Sequence, residues 1–155
     1  MKQRSSLGER LRQKLSESVD SAFFSENRDE LMESCRKASI RLLDEQGFYT
    51  PVMVFVEMKV LPLSMLRLWH EGRIPVIRPM IQLSDFMIQR CISVMKDVAQ
   101  QHSLEVRYMP FYDPNTPADA PDRPILSFTL SHDQDMERAL SLSVSRPVKK
   151  KRVNR

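Results

Sequence analysis

The fold of this chain depends on how residues 50–85 are interpreted. Their sequence is TPVMVFVEMKVLPLSMLRLWHEGRIPVIRPMIQLSD. After Pro51 the chain is apolar and rich in β-branched residues as far as Val60, and beyond that point apolar residues are mixed with basic ones. Because valine and phenylalanine are enriched in strands, we predict a buried strand at 52–60.

Three amphipathic helices are predicted on either side of this segment. Apolar residues recur every four positions over 7–23, behind a capping-box motif. A second helix is predicted at 28–45, and Gly47 follows it where a helix end favours a residue that tolerates positive φ. Ser84 is predicted to cap a third helix at 84–101, whose wide apolar surface implies burial on two sides.

The last third of the chain contains two alternating segments that are typical of half-buried strands. These are 104–109 and 125–131, which we predict to pair as a hairpin. Five prolines fall within the 110–124 loop between them, and a loop of this length is either functional or, as we favour here, disordered. Residues 133–145 fit a short helix or a strand equally well.

These elements together predict one α+β domain. The chain has 155 residues and a mass of 18.1 kDa, which is the size of a single domain with one hydrophobic core. We expect residues 1–145 to form that domain, with three main helices packed on a small sheet. Residues 146–155 are expected to be a disordered basic tail.

Charge is distributed unevenly along the chain. The overall formal net charge is +4, yet residues 146–155 contribute +6 and residues 1–14 contribute +4, which leaves −6 for residues 15–145. A basic tail beside an acidic body can act as a salt-sensitive arm on nucleic acid, or as an import signal in a eukaryotic cell. A solvated end that only keeps the protein in solution is the plainer interpretation.

Several classes of site are not expected. Three glycines in the whole chain argue against a phosphate-cradling loop, so no cofactor is predicted. Cys35 and Cys91 lack metal-ligand spacing and are expected to be reduced thiols, and the histidines are isolated, so no metal site is predicted. The chain offers no apolar run long enough for a membrane span and no signal peptide, which predicts a cytoplasmic protein, or a nuclear one in a eukaryotic host.

Residues 61–85 resemble the helix-turn-helix of MerR-like and excisionase-type DNA-binding domains. In this resemblance Ser64 starts the recognition helix and Trp69 lies in its second turn. The sequence EGRIP at 71–75 ends that helix, a short wing follows at 76–82, and a Ser-Asp pair caps the next helix. A glycine in the left-handed conformation and a proline that cannot continue the helix suit this exit.

The resemblance implies a non-enzymatic DNA-binding or DNA-associated regulatory protein. We expect DNA as the main partner, with a protein partner or a homodimer as further expectations. The candidate nucleic-acid contacts are Arg67, His70, Arg73, Arg78, Lys149, Lys150, Lys151 and Arg152.

Two other hypotheses remain open at this point. The acidic body could bind a protein partner, with a tail that only solubilises or targets the chain. The tripeptide Glu57-Met58-Lys59 also fits the ExK element of PD-(D/E)xK nucleases, in which a strand presents a metal-binding carboxylate beside a lysine, with Asp44 or Glu45 as the upstream acid. A strand at 52–60 would favour these two hypotheses over the helix-turn-helix.

Overall fold

Five α-helices and three short strands form the described part of the chain, which in this computed structural model comprises residues 28–121 and 123–147. In chain order the elements are α1 (Arg28–Gln46), β1 (Phe48–Tyr49), α2 (Pro51–Glu57), α3 (Leu63–His70), a 3-10 turn (Arg78–Met80), α4 (Asp85–Gln101), β2 (Glu105–Tyr108), α5 (Gln134–Leu140) and β3 (Leu142–Ser145). The layout is α+β, as predicted. The helix predicted at 7–23 and most of the basic tail lie outside the described residues.

The two long helices predicted from periodicity are confirmed as α1 and α4. Gly47 ends α1 with φ +84 and donates its N–H to the carbonyl of Leu43 over 2.9 Å. The hydroxyl of Ser84 accepts the N–H of Met87 and so caps α4. The end of α1 and the start of α4 were predictable because capping depends on residues that are adjacent in sequence.

The strand predicted at 52–60 is wrong, because residues 51–57 form helix α2. Thr50 has extended backbone angles ahead of the helix, and Pro51 occupies the first helical turn, where its missing N–H costs nothing. Val52, Val54 and Phe55 are all fully buried, and α2 packs against α1. A helix buried on nearly every side has a continuous apolar sequence, and such a run resembles a buried strand.

The hairpin predicted between 104–109 and 125–131 is also wrong. The sheet is antiparallel with strand order β1–β3–β2, so β2 pairs with β3 and Val106 lies opposite Val144. The 125–131 segment forms no strand and makes a single bridge, between Ile125 and Tyr112. The undecided segment 133–145 contains both alternatives, because α5 is followed directly by β3.

The core lies between α1, α4 and the inner face of the sheet. Tyr49 is fully buried and donates its hydroxyl to the carbonyl of Met95 over 2.7 Å, which ties β1 to α4. Cys35 and Cys91 are buried free thiols, as expected, and Cys35 donates to the Cys91 carbonyl over 3.5 Å. The hydrogen bond with Cys91 and burial raise the pKa of Cys35 far above its ordinary value, so this thiol stays protonated and unreactive.

Among the described residues, no helix combines the length and the apolar character that crossing a membrane requires.

Candidate nucleic-acid interface

Helices α2 and α3 are joined by a tight connection at 58–62. Lys59 adopts a left-handed conformation with φ 67, and its N–H bonds to the carbonyl of Val56. Pro62 is the N-cap of α3, and its carbonyl accepts the N–H groups of Met65 and Leu66 over 3.0 and 3.2 Å. Two short helices, α2 and α3, are therefore separated by a five-residue turn at 58–62.

The start of α3 differs from the prediction that Ser64 caps this helix. The N-cap is Pro62, two residues earlier than predicted, so the helix begins at Leu63, and no side chain caps it. Pro62 fixes φ at −64 and supplies the first acceptor carbonyl, so the backbone performs the role that we assigned to the serine. Ser64 is instead an exposed residue of the first turn.

Helix α3 has a buried face and an exposed face. Leu66 and Trp69 are buried, whereas Leu63, Ser64 and Arg67 are exposed. Positions 63, 64 and 67 lie within one turn of each other on the same side of a helix. Arg67 forms no ion pair within the described part of the chain, so its guanidinium is available to an external anion.

The buried face of α3 packs against the segment that we expected to be a strand. Trp69 donates its indole N–H to the carbonyl of Ser127 over 2.9 Å. Its ring centroid lies 5.3 Å from that of Phe111 and 5.0 Å from that of Phe128. The orientation of α3 therefore depends on a contact with Ser127, which lies 58 positions further along the chain.

The proline-rich loop also contacts the end of α3. Gly72 has φ +75, as the resemblance implied, and follows the last turn of the helix. Asn115 donates its side-chain amide to the carbonyl of Glu71 over 3.2 Å, and Asp113 accepts the N–H of Asn115 over 2.9 Å. Glycine is favoured here by its positive φ, and a Cβ at position 72 would lie 3.1 Å from Asn115 Nδ2, so the Asn115 side chain would also have to shift. The prediction of disorder for this loop is therefore wrong at Asp113 and Asn115, which are fixed against the end of α3. The Asp-Pro-Asn sequence signals a turn but does not reveal what the turn touches.

His70, a predicted DNA contact, faces the interior of this junction. Its ring stacks on Phe111 with centroids 5.4 Å apart and also lies 5.3 Å from Trp69. Its Nε2 atom is buried and has no hydrogen-bond partner in the described part of the chain. Burial lowers the pKa of His70 below its ordinary value of 6.5, so at neutral pH the ring is uncharged.

Arg78, another predicted contact, is used inside the fold. Its guanidinium donates to Asp85 Oδ1 over 2.7 and 2.9 Å and to the carbonyls of Leu83 and Ile81 over 2.9 and 3.2 Å. Its side chain is 21% exposed. These bonds connect the turn after α3 to the start of α4, so Arg78 serves as a brace between the two.

Arg73 and Lys59 are exposed near the ends of α3. Arg73 is 69% exposed and forms a loose ion pair with Glu71 over 3.7 Å, and Lys59 lies in the turn before the helix. Arg67 lies between them in sequence. Three basic side chains against Glu71 give the exposed part of this segment a positive charge within an acidic body.

The pair that suggested a nuclease does not lie on a strand. Glu57 is the last residue of α2 and accepts from Arg41 over 3.3 Å, and Lys59 lies in the turn beyond it. Asp44 forms an ion pair with Arg146 over 3.6 Å, and Glu45 is exposed on α1. Among the described residues, no three potential metal-ligating side chains of His, Cys, Asp or Glu come together. The structural premise of the ExK hypothesis is therefore wrong.

The predicted contacts Lys149, Lys150, Lys151 and Arg152 lie outside the described residues. Arg146, near the end of the described residues, lies next to the end of α1. There Arg146 donates its backbone N–H to the carbonyl of Gly47 over 3.1 Å and its guanidinium to the carbonyl of Leu43 over 3.2 Å.

Comparisons of this chain with family models, with curated proteins and with solved structures give no match. Its function is therefore inferred from geometry and charge.

Proposed function

We propose that this protein binds DNA through the exposed face of α3 and the turns that flank it, with the basic chain ends adding phosphate contacts. The observation that carries the proposal is that residues 51–57 form a helix. A strand at that position would have excluded a helix-turn-helix arrangement, whereas the helix found there is compatible with one and so supports the proposal.

The exposed surface of α3 has the chemistry that this role needs. Ser64 and Arg67 lie on the side of the helix opposite Trp69, and Lys59 and Arg73 lie in the adjacent turns. Arginine and lysine supply the charge that binds phosphates, and a serine hydroxyl can donate to phosphate or to a base edge. His70 and Arg78 are not part of the proposed surface, because their polar groups face the protein.

The packing of α3 supports the proposal further. The indole hydrogen bond of Trp69 to Ser127 and the contact between Asn115 and Glu71 both anchor the C-terminal end of α3, which restricts how its exposed side is presented. A helix that is already held in place loses less conformational entropy on binding than a mobile one. The packing of α3 therefore favours affinity for DNA.

Arg67→Gln tests the proposal. We expect the substitution to weaken binding to a DNA duplex about tenfold at low salt, because it removes one charge-assisted contact. The slope of log affinity against log salt should become shallower by about 0.9 if the lost contact is to a phosphate. Fluorescence anisotropy with a labelled duplex at several salt concentrations measures both quantities.

Arg90→Gln is the matched control. Arg90 is an exposed arginine on α4, so this change removes the same charge from another helix. We expect a much smaller effect on affinity than that of Arg67→Gln. Equal effects of the two substitutions would show that only the net charge matters, and wild-type protein without affinity for DNA at low salt would contradict the proposal.

A second candidate function is the binding of a protein partner. It is favoured by a group of apolar side chains that are unusually exposed for their size, between 43% and 75%: Met109, Tyr112, Ile125 and Leu130. This candidate would become the better supported one if the wild-type protein failed to bind DNA.

A further inference from the structure

Strand β2 forms one edge of the sheet. In the strand order β1–β3–β2 its only partner among the described strands is β3, so its other side is unpaired in that part of the chain. Val106 is 42% exposed and the Arg107 side chain is 61% exposed, so side chains on both faces of this strand are open to solvent. An edge strand with free backbone groups is a template for pairing with another strand.

The hydrogen-bond pattern shows which backbone groups point outward from this edge. Met109 donates its N–H to the carbonyl of Ser141 in the β3 direction, and the register continues with Arg107 opposite Ser143. In an antiparallel pair, successive residues point alternately toward and away from the partner strand. The N–H and C=O groups of Val106 and Tyr108 therefore point away from β3.

The charged side chains of β2 are complementary to those of a second β2 strand that runs antiparallel to it. Glu105 and Arg107 flank Val106 and lie on the outer face of the sheet. If two β2 strands run antiparallel with Val106 opposite Val106, each Glu105 lies opposite an Arg107. Opposite charges directly across a strand pair are stabilising, and this arrangement contains two such pairs.

We propose that two copies of this chain form a symmetric dimer by antiparallel pairing of β2 with β2, centred on Val106. Reciprocal hydrogen bonds join the two Val106 residues. The N–H of Tyr108 in each copy reaches the carbonyl of Leu104 in the other, and that carbonyl belongs to a residue whose own N–H is already bonded to Ala99. A two-fold dimer of this kind has the same surface on both subunits.

The charges of β2 favour the register with Val106 opposite Val106 over the register in which the two-fold axis is shifted by one residue. Shifting the two-fold axis by one residue would place Arg107 opposite Arg107 at a closely spaced, non-hydrogen-bonded position, and like charges directly opposite are destabilising. The proposed dimer does not depend on nucleic-acid binding, and its test uses the protein alone.

Charge reversal tests both the dimer and its register. We expect wild-type protein to sediment as a dimer at micromolar concentrations. Glu105→Arg and Arg107→Glu should each weaken the dimer roughly tenfold or more, because each places like charges opposite one another twice. The double variant E105R/R107E restores the opposite-charge pairs and should recover most of the wild-type affinity. Sedimentation equilibrium measures all four proteins.

Two further variants test whether the dimer forms through the β2 edge rather than through another surface. Val106→Pro removes an outward N–H without touching the ladder to β3, and proline is tolerated on edge strands, so it should weaken the dimer. Arg90→Glu, a charge reversal on α4, should leave the dimer unchanged. Circular dichroism melting of each variant checks that the fold is retained.

A wild-type protein that remains monomeric at about 100 μM would overturn the proposal, since specific dimers of biological use form at or below this range. So would a dimer that is insensitive to Val106→Pro, and so would failure of the double variant to recover affinity when each single variant has lost it.

Discussion

His70 shows how one residue can change its expected role once its neighbours are known. From sequence it is a polar side chain on a recognition helix, but in the structure its ring is stacked on Phe111 at the junction between α3 and the proline-rich loop. A charged imidazolium at this position would leave a buried N–H without a partner. The stability of the contact between α3 and the proline-rich loop should therefore depend on the protonation state of His70.

Protonation of His70 should destabilise the fold. Its folded-state pKa is lowered from 6.5 by burial, so the unfolded chain binds the proton more tightly. The free energy of unfolding should therefore be at its full value above pH 6.5 and should fall as the pH decreases from 6.5 towards 5. Urea denaturation at several pH values measures this dependence, and His70→Gln should flatten it. An equally steep dependence in His70→Gln would assign the effect to other groups.

At the scale of elements, the end of α3 and the proline-rich loop depend on each other. Gly72 and Gly47 both follow a helix and both have positive φ, of +75 and +84. They differ in their surroundings, because a Cβ at Gly72 would meet Asn115 and Asp113, whereas a Cβ at Gly47 would have nothing within 4 Å. An alanine at Gly47 would therefore lose stability only through its backbone conformation, whereas an alanine at Gly72 would lose stability through its conformation and through contact with Asn115 and Asp113.

Gly72→Ala should be more destabilising than Gly47→Ala. The left-handed conformation costs an alanine about 1–2 kcal/mol at either site. At Gly72 the added methyl group would also lie 3.1 Å from Asn115 Nδ2, so the Asn115 side chain must shift and its hydrogen bond to the Glu71 carbonyl is weakened, which adds up to about 1 kcal/mol. Chemical denaturation of the two variants gives the difference directly. Equal losses of unfolding free energy in the two variants would mean that the proline-rich loop accommodates the methyl group at position 72 without loss of stability.

At the scale of the whole molecule, the unequal charge distribution predicts how binding depends on salt. The last eight residues contain Lys149, Lys150, Lys151, Arg152 and Arg155. Arg146 is different, because its backbone and guanidinium are bonded to the end of α1. A truncation that tests the tail should therefore keep residue 146 and remove only 148–155.

Deleting 148–155 should weaken DNA binding and make it less dependent on salt. Each lost phosphate contact removes about 0.9 from the slope of log affinity against log salt, so loss of several contacts is easily measured. Replacing the five basic residues with glutamine at constant length should have the same effect. If affinity and slope survive the deletion while Arg67→Gln still weakens binding, α3 binds DNA without help from the tail.

The sequence by itself determined the elements whose signals are local. The bounds of α1 and α4 follow from Gly47, Ser84 and a regular apolar spacing, and the left-handed turn at Gly72 follows from the glycine and from Pro75. Each of these features depends on residues within about one helical turn, so the identities of neighbouring residues are enough to predict it. The α+β class follows from the same elements.

Only the tertiary structure decided the state of 51–57, the pairing of the strands and the composition of the proposed interface. The apolar run became a helix because it is buried against α1, and burial removes the periodicity that distinguishes helix from strand. β2 pairs with β3 because the two strands present matching apolar residues to one core, which alternation within each strand cannot show. His70 lies outside the proposed interface because its ring stacks on Phe111, a residue distant in sequence, which no local pattern can show. Arg78 lies outside it because its guanidinium bonds to Leu83 and Asp85 beyond the helix, whereas Arg67 stays exposed.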